Sequence, residues 1–211
     1  MKLHTCFYLL AAVAALIYGC KKDEPPKVTE QDLAALKAYC YFLPGTYWIY
    51  EDNRGNTDSM YVESASSGYD TVDNLTYFIS RWHSTFDTYD YKVEWNTSWT
   101  SYNPTRHKVF MSKFKPGDYV GEVTILEYPF VKGNKLYSYN DNIITSVEKY
   151  EIFAVNQSSY YQTILMNESR DITNPYLQPT NYFIGLNVGI VQEELLDSNI
   201  VWKVVRYNIV Q

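Results

Sequence analysis

An all-β fold is the expectation for this chain: a single antiparallel sandwich or an open, barrel-like sheet of roughly eleven strands, with one short N-terminal helix. Three observations predict it. Tyr (22) outnumbers Leu (15) in the 211 residues, and an excess of aromatic and β-branched side chains suits pleated, half-buried surfaces. Two stretches alternate with period two: Tyr89, Tyr91, Val93 and Trp95 against Asp90, Lys92 and Glu94, and the row Val201, Lys203, Val205, Tyr207 and Ile209. Finally, turn residues divide everything after Gly45 into short segments without helical runs between them.

The chain opens on Lys2, an apolar run from Phe7 to Ile17, and then Ile17-Tyr18-Gly19-Cys20. The run is about a dozen residues, short of the ~20 that cross a hydrocarbon core. Lys21-Lys22-Asp23-Glu24-Pro25-Pro26 follows at once. This arrangement resembles a bacterial lipoprotein signal peptide. The resemblance implies a leader over residues 1–19, removed on export, and a Cys20 that carries a thioether-linked diacylglycerol and an N-acyl chain. Several acyl chains on one residue anchor stably without a spanning helix. Residues 20–28, charged and with two prolines, read as a lipidated tether. Residues 29–211 read as one β domain.

Thr29 begins the helix, with Asp32 three residues on as a capping partner. Leu33, Leu36 and Tyr39/Cys40 recur at helical spacing, and Pro44-Gly45 ends the segment, which is expected to lie against the mouth or flank of a sheet. Strands are then expected over 46–51, 58–64, 75–82, 89–95, 106–113, 119–127, 135–139, 145–155, 160–167, 188–195 and 201–209. The lysine in the last row suits a sheet edge. Asn53-Arg54-Gly55-Asn56 and Gly133-Asn134 read as hairpin turns, and Asn174-Pro175 to Pro179 as a longer loop.

Two segments carry a wider resemblance. Leu43-Pro44-Gly45-Thr46-Tyr47-Trp48-Ile49-Tyr50-Glu51-Asp52 with Asp58-Ser59-Met60-Tyr61-Val62 looks like the opening hairpin of uncharacterised Bacteroidetes lipoproteins. Tyr182-Phe183, Val188-Gly189-Ile190-Val191 and a closing strand from Trp202 to Ile209 look like the end of the same family. The resemblance implies an outer-membrane address, a β fold and no catalytic residues. Within it, Lys22-Asp23-Glu24 is similar to the export signal that sends such lipoproteins to the cell surface, the periplasmic face being the alternative. Asp58-Ser59-Met60 and Asp70-Thr71-Val72 are similar to the tripeptide that carries O-linked glycans, making Ser59 and Thr71 candidate attachment sites.

Several function classes are disfavoured. Without its leader the chain has 17 Lys+Arg against 24 Asp+Glu, a net charge of −7, so phosphate backbones, and with them nucleic acids, are poor partners. Cys40 is the one cysteine left for the domain, which rules out an internal disulfide and fits a small buried hydrophobe. His83 and His107 are far apart in sequence, without metal-ligand spacing, and are expected at the surface or rim; no metal or cofactor is expected. Asp52, Asn53, Asn56 and Asp58 have calcium-loop composition without its spacing, so a polar turn is the better reading. No Gly-x-Ser-x-Gly elbow or diagnostic carboxylate pair stands out, and an enzyme is not expected. What remains is the aromatic cluster Trp82, Phe86, Tyr89, Tyr91, Trp95, Trp99 and Tyr102. It either fills the sheet interior or forms a platform for a glycan or apolar ligand, for which Trp82, Phe86 and Trp99 are the candidates. The expected role is a non-enzymatic binding or accessory domain, with a subunit of a surface complex, and then an envelope or glycan hydrolase, as alternatives.

Overall fold

The computed structural model describes residues 29–85, 89–97, 107–115, 118–137, 143–169 and 179–211. Helix α1 (Glu30–Cys40) starts at a reciprocal capping box: the Thr29 hydroxyl accepts the Asp32 backbone N–H, and the Asp32 carboxylate accepts that of Thr29. Twelve strands follow: β1 (Tyr47–Asp52), β2 (Thr57–Asp70), β3 (Leu75–Ser84), β4 (Asp90–Asn96), β5 (His107–Lys115), β6 (Asp118–Tyr128), β7 (Lys135–Tyr137), β8 (Ile143–Val155), β9 (Ser158–Ser169), β10 (Thr180–Gly185), β11 (Gly189–Leu195) and β12 (Ile200–Asn208).

All twelve lie in one antiparallel sheet of order β6-β5-β4-β3-β2-β1-β12-β11-β10-β9-β8-β7. Strands β6 and β7, consecutive in the chain, are therefore its two opposite edges. The sheet is not closed into a barrel, but it curls until these edges approach. At the seam the Glu127 carboxylate of β6 accepts hydrogen bonds from Asn134 Nδ2 (2.6 Å) and from Ser146 Oγ of β8 (3.3 Å). Of the two expected forms, the open, barrel-like sheet is the one found.

Three expectations need adjusting. Gly133-Asn134 does sit in a turn, with the Asn134 N–H donating to Val131 O, but β6 and β7 do not pair across it, because the turn crosses the seam. Strand β12 is no edge; it lies between β1 and β11, and Lys203 is tolerated because it stands opposite the exposed Glu51 on the outer face. Strand β10 adds a twelfth member where the sequence showed no alternation. Five of its six residues are buried, and a strand covered on both faces loses the period-two signal.

The core occupies the inner face of the curl. Trp48 packs against Phe42 and Trp82, with ring centroids 5.2 and 5.1 Å away, and Phe78 stacks on Trp95 at 5.7 Å. Helix α1 covers one end of this interior. The Asn187 N–H donates to Ala38 O (2.7 Å), the Tyr39 hydroxyl to Gln162 O (2.9 Å), and Lys37 Nζ to Ser67 Oγ (3.1 Å). Gly189 is required where the chain passes Phe42: its φ is +89°, and a Cβ there would meet the Phe42 ring at 3.0 Å. Cys40 is buried, its Sγ donating to Leu36 O, and burial pushes its thiol pKa up, as befits an inert core residue. His107, expected at the rim, is instead buried with its ring edge-on to Trp95, because β5 turns this position inward beneath the Trp95 indole.

Candidate functional site

Away from the helix the interior changes character. Strand alternation makes Trp48, Tyr50 and Asp52 of β1 inward-facing and buried. Tyr50 pairs across the ladder with Asp58 of β2, and Met60 with Ser84 of β3. Next to them, Trp82 pairs with Tyr91 of β4, and Tyr91 with Lys113 of β5. From the other half of the sheet, Tyr182 of β10 pairs with Glu193 of β11, while Thr180 pairs with Glu168 of β9. The first inner residues are large and apolar. Those nearer the end opposite the helix are tyrosines, carboxylates and a lysine.

The groups engage one another. The Tyr50 hydroxyl donates to Ile190 O at 2.8 Å and the Tyr182 hydroxyl to Glu168 Oε2 at 3.3 Å. Ser84 Oγ donates to Asp58 Oδ2 at 2.9 Å. Lys113 Nζ stands 4.1 Å from the Tyr89 ring centroid and 5.5 Å from that of Tyr91, with Lys115 Nζ 4.8 Å from Tyr89. Tyr89, Tyr91, Lys113 and Glu193 are half-buried, so solvent reaches this end, whereas Glu168 and Tyr182 are buried behind them.

Electrostatics tie the two walls together. Burial raises the Tyr182 pKa well above its ordinary value, reinforced by the charges of Glu168 and Glu193 and by Tyr91 across the interior. Tyr50 is raised in the same way, by burial and then by Glu193, Asp58 and Tyr160. At the helix end, burial pushes Tyr39 up to about 12. Unfolded, these tyrosines would ionise near pH 10. Between that pH and the folded pKa the native state holds more protons, so stability is whole below pH 10 and falls as pH rises through the folded values. Urea midpoints are expected to hold level from pH 8 to 9.5 and then fall, and Tyr182→Phe should make the fall shallower; an unchanged slope in that variant would contradict the assignment.

The residues singled out from sequence scatter. Trp82 is 1% exposed, its Nε1 donating to Ser80 Oγ and its ring enclosed by Phe42 and Trp48, so it offers no face to a ligand. Phe86, Trp99, Cys20, Lys22, Asp23 and Glu24 lie outside the described residues. Ser59 is a half-buried mid-strand residue paired with Ile49. Thr71 stands in the exposed β2–β3 turn, where Asp70 Oδ1 accepts the Val72 and Asp73 N–H groups, leaving room for a bulky modification. Asp52, within the calcium-like composition, organises a polar turn instead: Oδ1 accepts the N–H of Arg54 and of Asn56.

No family model, curated protein or solved structure matches this chain. The chemistry of the side chains is therefore what bears on function. Among the described residues, two features carry such chemistry. One is the polar, tyrosine-rich end of the interior. The other is on the outer face, where Glu63, His83 and Asp90 bring one ligand atom each within 4.8 Å of one another. A shallow depression of about 320 Å³ also lies on the outer face near Glu51, Asn156 and Lys203, where Glu51 and Lys203 face each other across the β1–β12 ladder. Sequence reasoning gave no site role to Tyr50, Lys113, Glu168 and Glu193, and read Asp58 as part of a polar turn. A signal for one of them exists: in Glu193-Glu194 on a strand, alternation sends one acid inward.

Proposed function

We propose that this is a lipid-anchored protein of the outer membrane, displayed at the cell surface, whose β-domain binds a hydroxyl-rich ligand such as a glycan without transforming it. One observation carries the proposal: Tyr50, Tyr91 and Tyr182 share the inner face at one end of the sheet with Glu168, Glu193 and Lys113. Carboxylates and tyrosine hydroxyls match the alternating donors and acceptors of sugar hydroxyls, and tyrosine rings supply apolar faces for C–H-rich sugar surfaces. A wall that carries carboxylates and a lysine among its tyrosines suits a hydroxyl-rich ligand better than an apolar one, so the glycan is favoured.

The test is glycan binding by the purified protein to an array of envelope and dietary polysaccharides. Tyr89→Ala and Glu193→Gln, both at half-buried positions, are each expected to weaken binding about fivefold, in line with ~1 kcal/mol per aromatic contact, with unfolding temperature unchanged. Equal binding by both variants would place recognition elsewhere. Hydrolysis stays as a second reading because two carboxylates stand beside Tyr182: Glu168 accepts its hydroxyl, and Glu193 pairs with it across the β10–β11 ladder. Release of shorter fragments from a bound glycan, abolished in Glu193→Gln, would replace the binding role with it.

A further inference from the structure

A second site lies on the opposite surface of the sheet. On the outer face, Tyr61 of β2, His83 of β3 and Asp90 of β4 stand directly across from one another on adjacent strands. His83 Nδ1 lies 2.6 Å from Asp90 Oδ1, and the Tyr61 ring packs on the imidazole at 5.3 Å between centroids, fixing its plane. Strand β2 then breaks its register between Val62, which pairs with Trp82, and Ser64, which pairs with Arg81. The residue left without a cross-strand partner is Glu63. A bulge of this kind bends the strand and re-aims the extra side chain; here it carries the Glu63 carboxylate diagonally toward His83.

From this geometry we infer that Glu63, His83 and Asp90 form a binding site for a divalent transition-metal cation of the zinc type. An imidazole and two carboxylates are a borderline-soft donor set that suits Zn²⁺, Co²⁺ or Mn²⁺ better than Ca²⁺, which prefers six to eight oxygens. The two carboxylates supply the charge that balances a dication. Ligands about 2.1 Å from a common ion are at most ~4.2 Å apart, so donors already within 4.8 Å need only small side-chain rotations, and Glu63 and Asp90 are exposed enough to make them. Where Nδ1 is the ligand, the ion takes the place of the hydrogen bond between His83 and Asp90, a proton on Nδ1 leaves to solvent, and the two atoms part to about 3.4 Å. Three protein ligands leave a fourth position of a tetrahedral ion for water or for a donor from another molecule. The ion would also clip β2, β3 and β4 together at the one place where their register breaks.

The test uses the full-length protein purified without a histidine tag. Titration with Co²⁺ is expected to show one ion per chain and the visible absorption of a tetrahedral cobalt site; Zn²⁺ displaces it, and Ca²⁺ at the same concentration does not. His83→Ala should lower cobalt affinity about tenfold or more, and Glu63→Gln should lower it as well. Should His83→Ala fold poorly by circular dichroism, Glu63→Gln, at an exposed position, carries the same comparison alone. The inference is overturned if no stoichiometric Co²⁺ uptake occurs, if Ca²⁺ competes as well as Zn²⁺, or if a folded variant binds as tightly as the parent.

Discussion

Trp82→Ala should lower the stability of the fold by about 3–5 kcal/mol, the usual range for deleting a large aromatic from a packed core. Trp82 is enclosed in the core, touching Phe42 and Trp48. Its loss also removes the indole donor from the buried Ser80 Oγ, which keeps only its own bond to Phe42 O. Phe42 is wedged in turn against the Cβ-less backbone of Gly189, so the surroundings have little freedom to collapse into the space. At ~2–4 °C per kcal/mol for a domain of this size, the melting temperature should drop by roughly 6–20 °C. Urea denaturation settles the matter: a loss below 1 kcal/mol would mean that Trp82 is not enclosed as described. Any loss of ligand binding in this variant should follow the unfolded fraction and no more.

Cys20→Ala is expected to have the largest effect in the cell, abolishing incorporation of labelled fatty acid and releasing the chain from the membrane fraction. Each buried methylene contributes ~0.8 kcal/mol to anchoring. The tether offers little in exchange: Lys21, Lys22 and Lys27 are offset by Asp23 and Glu24, and surface attraction is worth only ~1 kcal/mol per basic residue. In the parent protein, protease added to intact cells should strip the domain; full protection with the outer membrane intact would put it on the periplasmic face. Continued membrane retention of the unlabelled variant would overturn the anchoring role.

The fold was legible where one physical signal dominated. The row Tyr89 to Trp95 reads as a half-buried strand because Tyr91, Val93 and Trp95 do face inward while Lys92 and Glu94 pair on the outer face. The capping pair Thr29/Asp32 marked the helix start correctly. Legibility failed where the environment removed the signal. β10 is covered on both sides. The second half of β2, the Ser- and Gly-rich stretch 64–68, lacks strand propensity and is extended by its ladder with β3. The site was less legible still, since its members come from six strands and are joined only by pairing register. Glu63, His83 and Asp90 show the same difficulty: the two nearest in sequence are His83 and Asp90, and only a hairpin with a bulged neighbour brings all three together.

The order of strands in the sheet also bears on how the chain reaches its native state. Every ladder joins strands adjacent in sequence except β1–β12, where Tyr47 meets Asn208. Each half of the chain, β1 to β6 and β7 to β12, is thus a self-contained meander in which all but the β4–β5 and β9–β10 connections are short, so most of its hairpins form fast. Docking of the first strand on the last is the one step that must close a loop almost as long as the whole domain, an entropic cost growing only with the logarithm of length. Mutations that weaken the β1–β12 ladder should therefore slow folding, while those inside either meander should mainly speed unfolding. The same layout leaves Leu43 and Val210 in backbone contact, so, read from β7 through β12 to β1 and on to β6, the strands run as one uninterrupted meander.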